Sequence, residues 1–222
     1  MKKIELGGRD TERLYLKPLI FRFKDCVVNV VPTSFVCDMV ELINRHKARY
    51  LLPTFLFKPY SKVLDFPCGS GYAFDLFKGF NIRYEGKDKD IYTIEYAKLI
   101  YKKYIYNNKF SFGDLCNPRL KSNNYDVIIC VEGPEHIDRK YQKNLIKSFY
   151  NSLKPGGTLY ITTPEAHISG KSKKNKYHLW ELSRKDFIFL LSSYFKSIQI
   201  LEHKTTTHTG DLTNWMYSFC KK

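Results

Sequence analysis

Nowhere in the 222 residues do eighteen consecutive apolar residues occur, and the first residues carry no long apolar run. Neither a helical membrane span nor a secretory leader is expected, and the chain reads as cytoplasmic. The six cysteines, Cys26, Cys37, Cys68, Cys116, Cys130 and Cys220, include no C-x-x-C pair. That argues against a disulfide framework or a zinc site and for reduced core thiols. Acids are scarce: 22 Asp and Glu stand against 37 Lys and Arg, a formal charge of +15. An anionic partner such as nucleic acid, a phosphorylated glycan or a membrane surface would match that sign. The lysines are spread along the chain, however, and only Lys171, Lys173, Lys174 and Lys176 cluster, so compositional bias explains the charge equally well. With 43% hydrophobic content the chain can bury one substantial core.

The run Lys62-Val63-Leu64-Asp65-Phe66-Pro67-Cys68-Gly69-Ser70-Gly71-Tyr72-Ala73-Phe74 is an apolar stretch, an acid, and two glycines one residue apart. Val63 and Leu64 read as the end of a buried parallel strand. Gly69 and Gly71 read as the turn where backbone N–H groups approach a ligand before a helix begins near Tyr72. A loop for a dinucleotide pyrophosphate would carry a third glycine three residues after Gly71, but Phe74 stands there, and the strand ends in the carboxylate of Asp65. This combination favours a nucleotide-like ligand that is cationic and phosphate-free.

The run resembles motif I of the class I S-adenosylmethionine-dependent methyltransferases, hydrophobic-Asp-x-Gly-x-Gly-x-Gly, with Pro67 in place of the first glycine. The resemblance extends from about residue 41 to the C-terminus. It implies an α/β fold, a Rossmann-like, doubly wound, seven-stranded and mostly parallel sheet with an antiparallel last strand, and S-adenosyl-L-methionine as cofactor. Residues 1–32 are read as an N-terminal extension and 33–222 as the methyltransferase domain, with an N-terminal helix over 33–52 and a core from 62. Glu41 to Tyr50 also looks like the segment before motif I in a branch often linked to surface-polysaccharide biosynthesis. Because the corresponding helix in many class I enzymes lies over the cofactor, the resemblance implies that Arg49 or Tyr50 contacts the methionine carboxylate.

Residues 1–32 alternate apolar and basic positions, which suits an irregular or strand-containing extension. Thr33 or Ser34 can cap a helix from about Phe35 to Leu52, interrupted by Pro53. After a helix over 72–78, a second strand over 83–87 leads into Asp88, about twenty residues past the glycine loop, where a carboxylate can hold a ribose diol by two hydrogen bonds. Lys89 adjoins it, and Glu85 and Asp90 are neighbours that could substitute for Asp88. A helix over 91–104 precedes a third strand over 110–115. It ends in Gly113-Asp114-Leu115, similar to the family motif whose acid accepts from the adenine amino group while the next apolar residue packs on the ring. Tyr125 to Val131 is the best buried strand. A helix over 139–153, the turn Lys154-Pro155-Gly156-Gly157 and a fifth strand over 158–163 follow. Ser183 and Asp186 form a capping-box-like start for a helix ending near Tyr194. Ile198–Leu201 and Trp215–Cys220 suit the last two strands. Residues 166–182 remain as a long loop on the side of the sheet where acceptors bind. Strand and helix alternate as in a doubly wound sheet.

Methyl transfer from a sulfonium is an in-line displacement with an excellent leaving group, so the protein supplies alignment and, for a hydroxyl acceptor, removal of its proton. Glu135 and His136 follow the fourth strand, near the expected position of the methyl group, and are the catalytic candidates. An imidazole with an ordinary pKa of about 6.5 is a suitable base. His178, in Tyr177-His178-Leu179-Trp180-Glu181, and Glu132 are the substrate-side candidates. Together Glu132, Glu135, His136 and His178 resemble the metal-binding set of small-RNA terminal ribose 2′-O-methyltransferases, which implies a magnesium-like ion. Similar pieces occur in metal-free glycan-associated relatives, and nitrogen ligands are uncommon for magnesium, so no divalent metal is expected. The reading is an S-adenosylmethionine-dependent enzyme that methylates a hydroxyl of a sugar or other small acceptor. The alternatives are a metal-dependent RNA ribose 2′-O-methyltransferase and a non-catalytic cofactor-binding scaffold or nucleic-acid binder. Asp65, Gly69, Gly71, Asp88 and Asp114, all present, argue against the last.

Overall fold

The structure, a computed structural model, describes residues 1–8, 13–33, 40–104, 108–206 and 212–222. Three strands come first: β1 (Lys2–Gly7), β2 (Leu19–Phe23) and β3 (Cys26–Val31), in a separate sheet of order β1-β3-β2. The alternation of Cys26, Val28 and Val30 sends one face of β3 inward. That face packs with Tyr15 and Phe21 against Tyr96, whose ring meets Tyr15 edge-on at 5.1 Å.

Helix α1 spans Val40–Leu51, and a 3₁₀ turn over Leu52–Leu56 follows. Pro53, with no N–H to give, stops the α-helical ladder there. The earlier part of the expected helix, with Ser34, Phe35, Val36 and Met39, lies outside the described residues.

The second sheet holds seven strands: β4 (Lys62–Asp65), β5 (Arg83–Asp88), β6 (Asn108–Phe112), β7 (Tyr125–Val131), β8 (Leu153–Pro164), β9 (Ser197–Thr206) and β10 (Leu212–Lys221). Their order is β6-β5-β4-β7-β8-β10-β9, with β4 to β8 parallel and β10 antiparallel to both of its neighbours. This is the expected doubly wound sheet with a reversed last strand. Helices α2 (Ala73–Phe77), α3 (Ile91–Ile100), α4 (Arg139–Ser152) and α5 (Arg184–Ser192) cover its faces. Period-two alternation explains the two cores. Val63, Val127 and Ile129 point to one layer with Ile43, Phe77 and Ile94, while Leu64, Ile128 and Ile161 point to the other with Leu145, Phe149 and Phe187.

Several boundaries differ from the sequence reading. The third strand stops at Phe112: after a last ladder bond from the Gly113 N–H to the Asp88 carbonyl at 3.0 Å, the Asp114 carboxylate accepts the Cys116 N–H at 2.9 Å and turns the chain. Helix α3 ends at Ile100 and a 3₁₀ turn continues over Lys102–Tyr104. Lys154 to Gly157 do not precede the fifth strand but lie within β8. While β7 advances from Tyr125 to Val127, β8 advances from Leu153 to Thr158, so the Pro-Gly-Gly segment is extruded from the ladder, with Gly156 at φ +75°.

The stretch 166–182 is pinned rather than slack. Gly170 and Glu181 exchange backbone hydrogen bonds at 3.0 and 2.8 Å, and the Glu135 carbonyl accepts both the Leu179 and Trp180 N–H groups at 2.7 and 3.2 Å. Among the described residues no helix is long and apolar enough to cross a membrane, and Cys26, Cys68, Cys116, Cys130 and Cys220 are free thiols.

Candidate functional site

Strand β4 ends in Asp65, in register with Gly86 of β5 and Ile129 of β7. Its carboxyl is fully buried, accepting from the Tyr84 phenol at 2.7 Å and the Tyr50 phenol at 3.3 Å. Burial pushes it up to about 8, with the two phenols opposing and Asp88 adding repulsion. The Tyr50 hydroxyl also reaches the Pro67 carbonyl at 3.5 Å.

The two glycines of the loop have different surroundings. Gly69, at φ +51°, would place an added Cβ in open space. Gly71, at φ +76°, would place one 2.6 Å from the Phe110 ring and 3.2 Å from Ala97, so it is small in order to let core side chains approach. The Gly69 N–H points across to the tip of β5, where Asp88 Oδ2 accepts it at 3.1 Å.

Asp88 is 3% exposed, and its Oδ1 accepts from the Asp90 N–H at 2.9 Å and from Arg13 Nη2 at 3.3 Å. Of the neighbouring acids, Asp90 caps α3 through the Tyr92 and Thr93 N–H groups, and Glu85 pairs with Lys87 at 3.3 Å and the Tyr125 phenol at 2.9 Å. Asp88 is therefore the acid held against the glycine loop. Lys89 is exposed beside it. Asp114 is half-buried on its own turn, and Leu115 packs in the core with Phe66 and Ile137.

A second set of polar side chains gathers past the end of β7. Glu132 sits at φ +52°, a left-handed conformation rare outside glycine. Its carboxylate pairs with Arg49 and lies 3.7 Å from His46 Nδ1, and its N–H donates to Thr162 Oγ1 at 3.1 Å. Arg49 is buried with its guanidinium 3.9 Å from the Trp215 ring centroid. Burial, then the Arg49 and Arg45 charges, pulls His46 down to about 3.

Glu135 is fully buried. Its Oε2 accepts from Thr163 at 3.0 Å, and its Oε1 is buried with no hydrogen-bond partner. Burial pushes this carboxyl up to about 7, the nearby His178 opposing. His136 Nδ1 lies 3.2 Å from the Tyr177 carbonyl, which can only accept, so the proton sits on Nδ1 and Nε2 is the basic nitrogen. Burial, then His178, Lys89 and Arg13, pulls His136 down to about 4. The His178 ring meets it edge-on at 5.0 Å, with Nδ1 held by Glu181 at 2.6 Å. Glu135, His136 and His178 each offer a ligand atom within 4.8 Å of the others. Glu132 faces Arg49 instead, so three of the four residues read as a metal set converge.

Cavities of about 280 and 540 Å³ lie elsewhere, one beside Glu165 and Asn214 and the other at the opposite end of the strands beside Asp126 and Gly157.

Sequence comparison matches residues 39–200 to the methyltransferase domain family. The chain belongs to this family, and so to the class I S-adenosylmethionine-dependent superfamily. Phosphoethanolamine N-methyltransferase 3 of Arabidopsis thaliana is 30% identical over 133 residues, 56% of this chain and 27% of that protein. A probable S-adenosylmethionine-dependent methyltransferase of Mycolicibacterium smegmatis is 25% identical over 134 residues, 59% of this chain and 50% of that protein. The chain thus spans half or less of the length of these relatives. Phosphoethanolamine N-methyltransferase 2 of Haemonchus contortus, solved with phosphomonomethylethanolamine and S-adenosylhomocysteine, superposes with a TM-score of 0.66 at 16% identity, over 79% of this chain and 52% of that one. At that identity the likeness is one of fold.

Within this methyltransferase fold, Asp65, Pro67, Gly69, Asp88 and Lys89 lie around the tips of β4 and β5, and Arg49, Glu132, Glu135, His136 and His178 around the tip of β7. Tyr50 reaches Asp65 from α1, joining the two groups. Sequence reasoning missed Arg13, Tyr84, Trp215 and Glu181. Tyr84 had a local signal, the inward phase of β5 shared with Gly86 and Asp88. Arg13 had none, being 75 residues from its partner.

Proposed function

We propose that this methyltransferase-family chain binds S-adenosylmethionine across the tips of β4 and β5 and transfers the methyl group to a hydroxyl of a sugar or other small acceptor. The carrying observation is the bond from Gly69 N–H to Asp88 Oδ2, which joins the glycine loop and the ribose acid into one cradle. In this reading Asp88 takes the ribose diol, Asp114 and Leu115 the adenine, and Gly69 the close backbone approach. Asp65, buried behind the Tyr50 and Tyr84 phenols, acts on the cationic end of the ligand by charge rather than contact, and a nearby positive charge favours its ionised form. Arg49 and Tyr50 close that end from α1. The family match and the cofactor product named in the Haemonchus structure support the cofactor assignment.

The acceptor oxygen attacks the methyl carbon in line with the departing sulfur. A C–O bond forms as the C–S bond breaks, sulfur keeps the electron pair, and S-adenosylhomocysteine is released. The hydroxyl proton passes to His136 Nε2, which is neutral at pH 7 because burial has depressed the imidazole. Glu135 holds the acceptor loop through its carbonyl, and His178 and Glu132 line the acceptor side.

The test is calorimetry with S-adenosylmethionine, followed by a methyl-label screen over glycans, RNA, small phenols and amines, with and without chelator. Heat of binding and label on a sugar hydroxyl support the reading. Absence of heat at high cofactor concentration removes it, and label on an amine moves the acceptor class toward that named in the phosphoethanolamine relatives.

A second reading, metal-dependent methylation of an RNA ribose, is favoured by the convergence of Glu135, His136 and His178 and by the lysines at 171, 173, 174 and 176. Two imidazoles and one carboxylate suit a transition ion better than magnesium. With an ion bound, His136 serves as a ligand rather than as the base, and chelator abolishes turnover.

A further inference from the structure

A carboxylate offers about four acceptor positions, and on Asp88 three are engaged. The Gly69 N–H holds Oδ2, and the Asp90 N–H and Arg13 Nη2 hold Oδ1. A cis-diol that chelates this group needs two. One of the three donors must therefore leave when a ribose binds as proposed above.

The two amides are fixed by the backbone. Gly69 lies in a turn closed by Cys68 N–H on the Lys87 carbonyl at 2.8 Å and Gly71 N–H on the Cys68 carbonyl at 3.0 Å, and Asp90 is the cap of α3. Arg13 is held differently. Its guanidinium meets the acid through one bond of 3.3 Å, its side chain is 25% exposed, and its Nε is buried with no hydrogen-bond partner among the described residues. The residues after it are anchored. The Leu14 carbonyl accepts from Ser70 of the glycine loop, the Tyr15 phenol meets Thr93 Oγ1 at 2.6 Å, and Lys17 exchanges bonds with the Tyr96 phenol at 3.2 and 2.9 Å. The side chain can therefore swing while its backbone stays against the loop.

Resting on the cofactor reading above, we infer that Arg13 gates the ribose end of the site, its guanidinium competing with the diol of an adenosine ligand for Asp88. The apparent affinity for such a ligand is then the intrinsic affinity multiplied by the fraction of time that Arg13 is away. If the pair is closed about nine-tenths of the time, affinity is lowered roughly tenfold. The strap from the N-terminal sheet thereby sets how tightly the methyltransferase fold holds its nucleoside.

The experiment compares the intact chain with Arg13→Met and Arg13→Gln by calorimetry, using S-adenosylhomocysteine, adenosine and 2′-deoxyadenosine. S-adenosylhomocysteine is chosen because it lacks the sulfonium charge that would respond to any lost cation. Both variants should bind S-adenosylhomocysteine and adenosine about tenfold more tightly, with 2′-deoxyadenosine unchanged within about twofold. Equal gains for all three ligands would mean a general electrostatic effect and overturn the gate. Weaker binding of S-adenosylhomocysteine would make Arg13 a ligand contact and overturn it also. If no protein binds any of the three, the cofactor reading fails. The pair is still read independently from arginine-labelled protein, where the Arg13 guanidinium should rotate slowly and be freed by Asp88→Asn. Free rotation in the unsubstituted chain would sink the gate by itself.

Discussion

The Arg49 guanidinium pairs with the Glu132 carboxylate and rests 3.9 Å from the ring of Trp215, so one cation ties α1 to the tip of β7 and to β10. Removing one partner of a buried pair leaves the other uncompensated, at about 3 kcal/mol or more. Arg49→Met should lower stability by about that amount in urea titrations. Glu132→Gln added to it should restore part of the loss. If the double variant is less stable by the sum of the two single effects, the pair is not coupled.

Gly69 and Gly71 should respond in opposite ways to alanine. Gly71→Ala meets the Phe110 ring and a positive φ together, and should lose roughly 2 kcal/mol or more of stability. Gly69→Ala meets only the positive φ, about 1 kcal/mol, and should remain folded while its affinity for S-adenosylmethionine drops. Thermal melts and calorimetry on the pair separate the two roles; equal melting temperatures would contradict the packing argument.

The raised carboxyl of Asp65 has a sign that can be checked. Its folded value of about 8 exceeds the ordinary value of about 3.9. Between these the folded chain holds a proton that the unfolded chain has lost, so stability from this group falls as pH rises from about 4 to about 8. Asp65→Asn should remove that slope, which is about 1.4 kcal/mol per pH unit for one proton. A stability difference between the two proteins that stays flat over the window would place the carboxyl in its ionised form.

On the proposed chemistry, His136→Ala should lower the rate of methyl transfer by roughly 10²–10⁴-fold with little change in cofactor affinity. Because the imidazole is depressed to about 4, turnover in the unsubstituted chain should hold between pH 8 and 5 and fall as pH drops through about 4. Single-turnover rates across that range check it. A fall centred near pH 6.5 would indicate a solvated imidazole instead.

How much was legible from sequence followed the range of the interactions. Asp65, the glycines and Asp88 belong to one strand–turn–helix–strand unit, and their spacing alone puts both acids at adjacent strand tips. The buried strand at Tyr125 to Val131 was readable from its unbroken apolar run. Lys154 to Gly157 carried true turn chemistry, but the turn is extruded from within β8, and only pairing with Tyr125 reveals that. Contacts made by folding were invisible. Arg13 reaches Asp88 over 75 residues, and Arg49 meets Glu132 over 83. The Tyr50 and Tyr84 phenols converge on Asp65 from a helix and a neighbouring strand.

The segment from Lys171 to Tyr177 is bracketed by the Gly170–Glu181 exchange and by the Glu135 carbonyl, which accepts from Leu179 and Trp180, so both of its ends are tied by backbone hydrogen bonds. Within it the Tyr177 carbonyl holds His136 Nδ1 at 3.2 Å, so a change of length here would be felt at that ring. The span so anchored carries Lys171, Lys173, Lys174 and Lys176, so on the reading proposed above its charge bears on the acceptor while its anchors stay with the fold.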